Sequence, residues 1–163
     1  MSSKRKIGEI LVDQKIIDQK QLDEALEIQR SSGEFFGHLL IRKGWATEQQ
    51  VLKALSDQFE IPFIRLELDQ VDWSIAERFS PLFLKEHTCF PVKEVAGWVT
   101  IAISNPLDAW AESGLAAKLP GRQIKPVLSV KAEIVAAIRE LNKRSMKKFQ
   151  RSQEKGPADP SQK

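Results

Sequence analysis

Apolar residues in the first third of the chain recur with a helical period, and they do so twice. Shifting the sequence by 29 residues aligns residues 6–29 with residues 35–58, and six of the 24 aligned positions are identical. The identical pairs are Gly8 and Gly37, Leu11 and Leu40, Gln21 and Gln50, Ala25 and Ala54, Leu26 and Leu55, and Gln29 and Gln58. In each copy three apolar side chains stand at i, i+3 and i+4, a spacing that forms one stripe along a helix. We therefore predict two copies of one unit, each a short helix, a turn and a longer helix, with a turn-like linker over residues 30–34.

Polar residues indicate where the longer helix of each copy begins. Asp18 is followed three residues later by Gln21, and Thr47 is followed in the same way by Gln50. This is the capping-box spacing, in which two side chains satisfy backbone N–H groups at the start of a helix. It predicts equivalent helix starts in both copies.

The second half of the chain alternates short extended segments with helical ones. Residues 88–95 and 98–103 are rich in β-branched and aromatic residues and flank Ala96 and Gly97, which predicts a hairpin. Pro126, inside a strand predicted at residues 123–128, indicates a sheet edge. The other predictions are an extended connector over 61–66, helices over 73–79, 81–87 and 108–118, and a final helix that Ser129 caps and that runs to about residue 146.

The fold class that follows from these segments is α+β. We predict a helical tandem-repeat subdomain over residues 1–62 and a small β-β-α-β-α subdomain over residues 63–146. Residues 147–163 are predicted to form a basic, disordered tail, since from about Ser152 a single alanine is the only apolar residue.

Two repeated features allow either a structural or a functional interpretation. Gly8 and Gly37 lie inside short helices, where glycine is unfavourable, so something approaches the backbone closely there. Gln29 and Gln58 place an amide on each apolar stripe, where it needs hydrogen-bond partners if buried. The glycines can simply allow tight helix crossing and the amides can be satisfied edge residues. Both readings stay open at this point.

The repeated pattern resembles a known motif. R-L-G-x-x-L-x3-G-x6-L-x2-A-L-x2-Q, given twice with a five-residue spacer, is similar to the MshEN motif of the N-terminal domains of type II secretion and type IV pilus assembly ATPases. The resemblance covers about residues 6–141 and includes the segments CFPVKEVAGWVTIAISNPLD and PVLSVKAEIVAAIREL. It implies a regulatory and docking module, with a secretion or pilus assembly ATPase or an associated cytoplasmic protein as the partner. It also implies cyclic di-GMP as a regulatory ligand, and no other cofactor.

The resemblance further implies which residues would contact the dinucleotide. The arginine of the first motif position becomes Lys6 in one copy and Phe35 in the other, and the small residue at position ten is kept as Gly44 but replaced by Lys15. Lysine lacks the planar fork of arginine, and phenylalanine can stack on a base but carries no charge. We interpret the helical platform as preserved and the ligand surface as degenerate. Its implied residues are Lys6, Ile7, Gly8, Leu11, Leu22, Ala25, Leu26, Gln29, Phe35, Phe36, Gly37, Leu40, Gly44, Ala54, Leu55 and Gln58.

An alternative interpretation is a protein–protein interaction module whose nucleotide site is lost. In that case Phe35, Phe36 and Trp45, or a partner helix, fill the surface. Lys6 and Phe35 distinguish the two versions, because they replace the charged contacts of the motif.

Composition and charge restrict the remaining possibilities. The 163 residues are 42% apolar and 29% charged, as in globular proteins, and neither a membrane-spanning run nor a signal peptide is recognisable. The single cysteine, Cys89, excludes an internal disulfide, and a cytoplasmic protein is expected. From Lys143 onward the chain carries seven of its 25 Lys and Arg and two of its 22 Asp and Glu, so the remainder is mildly acidic despite a net charge of +3. A body of that sign argues against nucleic acid as a partner.

Candidate chemistry is sparse, and we predict no enzymatic activity. No G-x4-G-K-[ST] phosphate loop occurs, so the ATPase motor is absent from the sequence. His38, His87 and Cys89 are too few for a metal cluster, and Cys89 near His87 is more simply a buried small residue beside a surface histidine than a catalytic pair. The basic run over residues 143–151 continues the last helix; an acidic partner or a membrane surface is conceivable there, although a solvated helix end is favoured.

Overall fold

The repeat segment folds into four helices whose ends follow the predicted caps. The computed structural model describes residues 5–106 and 109–155, without the side chains of 109–112. Helices α1 and α2 form the first copy, and α3 and α4 form the second. Their bounds are Ile7–Asp13 for α1, Gln19–Ser32 for α2, Phe36–Arg42 for α3 and Glu48–Phe59 for α4.

Both predicted capping boxes are confirmed. The carboxylate of Asp18 accepts a 2.7 Å hydrogen bond from the N–H of Gln21, whose side chain accepts one of 2.9 Å from the N–H of Asp18. Thr47 and Gln50 form the same pair of bonds, at 3.2 and 2.9 Å. Because these bonds satisfy N–H groups that have no partner within a helix, they fix the first residue of each long helix.

The two copies interlock rather than standing side by side. Helix α1 packs on α4, and α2 packs on α3, so each short helix contacts the long helix of the other copy. Leu11, Leu40, Ala25 and Ala54 are completely buried between them. The prediction of a turn-like linker over residues 30–34 is partly wrong, because α2 continues to Ser32 and ends at Gly33, where φ is +68°.

The second half forms a three-stranded sheet covered by helices. A single 3₁₀ turn, Leu68–Gln70, precedes α5 (Trp73–Ala76) and α6 (Pro81–His87). Strands β1 (Cys89–Val95) and β2 (Trp98–Ile103) are antiparallel, and β3 (Gln123–Leu128) runs parallel to β2 after α7 (Ala109–Lys118). The strand order is β1-β2-β3, and β3 with Pro126 lies at an edge. The α+β class and the β-β-α-β-α order are confirmed, and the predicted start of α7 at Asp108 lies outside the described residues.

The last helix, α8 (Lys131–Glu154), differs from its prediction at both ends. Its N-cap residue is Val130 and not Ser129, whose buried hydroxyl donates instead to the Glu133 carboxylate at 2.7 Å. The predicted tail from residue 147 is helical up to Glu154, because its Lys, Arg, Gln and Glu residues are good helix formers. The end of that tail, from residue 156, lies outside the described residues. Helix α5 is shorter than predicted and ends at Ala76.

The strand–helix junction between β3 and α8 joins the two halves. Leu128, the last residue of β3, is fully buried within the hydrophobic core of the repeat. Its N–H donates to the carbonyl of Pro62 at 2.7 Å, and its carbonyl accepts from the N–H of Ile64 at 2.8 Å. Glu48, the first residue of α4, accepts a hydrogen bond of 2.8 Å from the N–H of Lys131 in α8. The boundary predicted between residues 62 and 63 stays a prediction.

A candidate ligand cavity on the tandem repeat

All four repeat helices contribute to one open cavity of about 580 Å³. This volume lies in the range of small-molecule and cofactor sites. Most of the wall is apolar, and the polar groups in it are two amides, one ammonium and one carboxylate. The lining residues are Lys6, Ile7, Gly8, Glu9, Leu22, Leu26, Gln29, Phe35, Phe36, Gly37, Leu55, Gln58 and Phe59.

The structure separates the predicted site residues into three groups. Most of them line the cavity, whereas Leu11, Leu40, Ala25 and Ala54 lie in the core beneath it, without exposed surface. These four residues therefore pack in the core and do not line the cavity. Gly44 lies in the exposed turn after α3, with φ at +74°, so its place in the motif reflects a backbone requirement.

Sequence comparison missed two lining residues, Glu9 and Phe59. Within the repeat Glu9 aligns with His38, so no identity draws attention to it, and Phe59 lies one position beyond the repeated segment. Each one directly follows a predicted residue, Gly8 or Gln58. Adjacency to a predicted residue was the one signal for either of them.

The two repeated amides face the same cavity. Gln29 and Gln58 are half-buried, each near the C-terminal end of the long helix of its copy. In the described part of the chain, neither carboxamide is hydrogen-bonded to another side chain or to the backbone. By contrast, the equally repeated Gln21 and Gln50 are occupied in the capping boxes. Gln29 and Gln58 therefore keep their donors and acceptors available for a ligand.

The repeated glycines are required by close helix packing. A Cβ atom at Gly37 would lie 2.7 Å from Cγ1 of Val51, and a Cβ atom at Gly8 would collide with Cδ1 of Leu22. Leu22 and Val51 are equivalent positions of the two copies, so the same helix crossing occurs twice. Tight crossing, one of the two readings left open by the sequence, accounts for the glycines. Both glycines, although buried, also lie in the lining of the cavity.

Charge around the cavity differs between its two related ends. Lys6 precedes α1, and its backbone N–H donates to the Glu9 carboxylate at 3.3 Å. The equivalent Phe35 packs its ring edge against His38, with 5.3 Å between ring centroids. The wall therefore carries one cation and one anion at the first end and aromatic surface at the second.

A surface ion pair adjoins the aromatic end. Arg42 donates to both carboxylate oxygens of Glu34, at 3.2 and 2.9 Å. This hydrogen bond holds the pKa of Glu34 below its ordinary value and raises the pKa of Arg42 above its own. Both groups remain charged at neutral pH, beside the cavity and not within its lining.

Other candidate chemistry finds no support in the geometry. Cys89 is fully buried in the core of the second half, out of reach of a substrate, and the ring of the half-buried His87 packs 4.7 Å from that of Phe83. Across residues 5–106 and 109–155, no group of three or more His, Cys, Asp or Glu side chains could hold a metal ion. In the same two ranges no helix has the length and apolarity needed to cross a membrane.

Comparison with known proteins relates the chain to a domain of assembly ATPases. The MshEN domain model matches residues 59–148, which is the second half and not the tandem repeat. The type IV pilus assembly ATPase PilB of Myxococcus xanthus is 28% identical over 133 residues; the match covers 82% of this chain and 23% of that relative's length.

Two solved structures share the fold. One is MshE with cyclic di-GMP, at 25% identity and a TM-score of 0.73, covering 84% of this chain and 99% of that one. The other is the N-terminal domain of XpsE, at 20% identity and a TM-score of 0.63, covering 82% of this chain and 91% of that one. Since the MshE match extends beyond the segment matched by the family model, it includes part of the repeat.

Proposed function

Since the chain belongs to the MshEN domain family, we propose that it is a non-catalytic cytoplasmic regulatory and docking module whose repeat cavity binds cyclic di-GMP. The observation that carries this proposal is the pair of unengaged amides, Gln29 and Gln58, in one 580 Å³ cavity. Similarity to MshE, which was solved with cyclic di-GMP, supports the choice of ligand.

The internal symmetry of the cavity suits a ligand built of two equal halves. Cyclic di-GMP contains two guanines and two phosphodiesters, and an amide can both donate to and accept from the edge of a guanine. Gln29 would serve one half and Gln58 the other, while the rings of Phe35 and Phe59 offer surfaces for stacking. Gly8 and Gly37 would allow the ligand to approach the helix backbone.

The cavity provides little positive charge for such a ligand. The ligand carries two negative charges, whereas the lining offers the single cation Lys6, with the Glu9 carboxylate close by. We therefore propose a degenerate site, whose affinity depends more on amides and aromatic rings than on ionic contacts.

A second candidate function is protein–protein interaction alone. The observation that favours it is the aromatic surface of the cavity: Phe35 stands at the position of the motif's arginine, and Phe59 also lines the wall. Such a wall suits the apolar face of a partner helix. In either version we propose a secretion or pilus assembly ATPase as the protein partner, since PilB is among the relatives.

Isothermal titration calorimetry with cyclic di-GMP tests the ligand. We expect measurable heat, weaker binding by Gln29→Ala and by Gln58→Ala, and unchanged binding by the exposed control Gln49→Ala. Replacing Lys6 and Phe35 together by arginine should strengthen binding, because it adds the missing positive charge at position 35 and restores the planar guanidinium at both positions. Absence of heat at high micromolar ligand would overturn the dinucleotide proposal in favour of the interaction module. Affinity unchanged from that of the unmodified chain in both glutamine variants would show that the ligand lies elsewhere.

A further inference from the structure

One face of the three-stranded sheet is covered over only part of its length. Phe90, Ala102 and Val127 are register partners on the three strands, so their side chains lie on the same face. All three are buried, and the Phe90 ring packs edge-on against Trp73 of α5, with 5.9 Å between the ring centroids. Towards the hairpin, the next two rows of this face contain exposed side chains. The open part of the face is therefore the end next to the turn between β1 and β2.

The first open row carries a cation on either side of a hydroxyl group. Lys93, Thr100 and Lys125 are register partners, and neighbouring strands lie about 4.8 Å apart, so Thr100 separates the two lysines. All three line an open cavity of about 420 Å³, whose other lining residues are Pro62, Ile64, Gln70, Val92 and Val127. Among the described residues, neither lysine forms an ion pair, and the Thr100 hydroxyl has no hydrogen-bond partner. By contrast, Glu94 on the opposite face accepts a 2.8 Å hydrogen bond from Arg122.

The second open row is centred on an exposed indole ring. Trp98 lies two residues before Thr100 in β2, which places both side chains on the same face, about 6.8 Å apart along the strand. Trp98 is 47% exposed, and its register partners Val95 and Gln123 are exposed as well. A single exposed apolar residue is ordinary, but this ring lies beside two unpaired cations. An aromatic ring on an open sheet face is the feature with which RNA-binding sheets stack bases.

We propose that Lys93, Trp98, Thr100 and Lys125, which we call the sheet platform, bind a mononucleotide. The base would stack on the indole ring of Trp98, and the phosphate would lie above Thr100, between the two ammonium groups. Charge complementarity supports this occupant, because two unpaired cations would make charge-assisted hydrogen bonds to the phosphate oxygens. The distance between the two rows, about 6.8 Å along the strand, also corresponds to the separation of a base from its 5′-phosphate.

A single nucleotide suits the sheet platform better than a nucleic acid strand. RNA-binding sheets stack two or three bases, whereas the sheet platform offers one ring. The chain before Lys143 has a small excess of acidic residues, and next to the cavity Glu67 accepts a 3.4 Å hydrogen bond from Gln70. These negative charges would repel a long polyanion more strongly than a single phosphate. The sheet platform lies in the second half of the chain, so this proposal is independent of the ligand of the repeat cavity.

An NMR titration of the full chain with AMP tests this proposal. We expect saturable shifts of the Trp98 indole N–H and the Thr100 amide, with a Kd of about 1 mM or below. Adenosine, which lacks the phosphate, should bind more weakly, and high salt should weaken the binding of AMP. Followed at the Thr100 amide, Trp98→Ala should bind AMP about 10–100-fold more weakly, whereas Trp98→Phe should keep most of the affinity. The double variant K93Q/K125Q should bind about tenfold more weakly.

The matched control removes equal charge elsewhere. K20Q/K53Q changes two exposed lysines on α2 and α4 and should bind AMP like the unmodified chain. Equal loss in this control, equal affinity for adenosine and AMP, or absence of shifts at about 10 mM AMP would overturn the proposal.

Three further outcomes would assign a different site or occupant and would also overturn it. Shifts of the Gln29 and Gln58 carboxamides instead of Trp98 would place the nucleotide in the repeat cavity and leave the proposal for that cavity intact. Binding of oligoadenylate about 10²-fold tighter than AMP would identify a nucleic acid strand as the occupant. Saturation of the same groups by poly-L-glutamate but not by AMP would identify an acidic polypeptide.

Discussion

In the first copy of the repeat Arg5 pairs with Asp13 at the two ends of α1, and in the second copy Glu34 pairs with Arg42 at the two ends of α3. These are equivalent positions carrying opposite signs. At the same time the capping boxes, the glycines and the buried leucines are the same in both copies. Most positions that fix the backbone or the packing are thus shared, with Lys15 against Gly44 as an exception, whereas surface charge varies as long as each pair remains complementary.

The cavity shows the functional side of this comparison. Gln29 and Gln58 are shared although no backbone cap or core contact requires them, while Lys6 and Phe35 differ. An amide kept at both ends of a cavity, without a structural partner, is the main reason for looking for a ligand there. The unequal Lys6 and Phe35 make the two ends of that site chemically different.

The largest expected effect comes from breaking the shared helix crossing. Gly37→Ala should lower the free energy of unfolding by about 1–3 kcal/mol, because its Cβ meets Val51 at 2.7 Å and the Phe35 ring at 3.1 Å. Gly8→Ala should cost less, below about 1 kcal/mol, since it meets one terminal methyl of Leu22, which can rotate away while alanine improves the helix propensity. Urea unfolding of both variants measures the difference.

A second substitution serves as the control for this pair. Val51→Ala in the Gly37→Ala background removes the clashing methyl group, so the two changes should be less destabilising together than their sum. Additive losses would show that the crossing is not what requires glycine at this position.

The left-handed turn after each short helix gives an effect of intermediate size. Lys15 has φ at +59° and Gly44 has φ at +74°, so the first copy places an L-residue where the second has glycine. Lys15→Gly should stabilise the protein by about 0.5–1 kcal/mol, and Gly44→Ala should destabilise it by about 1 kcal/mol. A Cβ at Gly44 meets no atom within 4 Å, so its cost comes from the backbone alone. Thermal or urea unfolding gives both values, and a destabilised Lys15→Gly variant would contradict this account.

Local rules predicted most of the fold, and contacts between distant segments account for what they missed. Capping boxes and apolar period located α2 and α4 because both signals lie within a few residues of each helix. Leu128 packs into the repeat core, and the N–H of Lys131 donates a hydrogen bond to Glu48. Both contacts join residues far apart in sequence, so the local apolar pattern could not predict them. For the cavity, repetition identified the amides, but it could not identify Phe59, which the repeat does not include.

The smallest expected effect concerns the exchanged ion pair of the second copy. Hydrogen bonding from Arg42 lowers the pKa of Glu34 below its ordinary 4.5, so the ionised carboxylate is favoured in the folded state. The stabilisation that the Glu34–Arg42 pair gives to the folded state is therefore fully present above pH 4.5. It is lost as the pH falls through the lower pKa that Glu34 has in the folded protein. Because the pair is exposed, salt should weaken it. Urea unfolding of the unmodified chain and of Glu34→Gln should differ most at neutral pH, and the difference should shrink in acid.

The titration of Glu34 itself separates this pair from general acid effects. Followed by NMR of its side-chain carboxyl carbon, the pKa of Glu34 should rise towards 4.5 in Arg42→Gln, because the hydrogen bond that lowers it is the largest cause and comes from that residue. The variant Lys43→Gln removes a neighbouring cation that pairs with Glu24 instead, so it should leave the pKa of Glu34 almost unchanged. An equal rise in both variants would mean that overall positive charge, and not the specific Arg42 contact, sets the ionisation of Glu34.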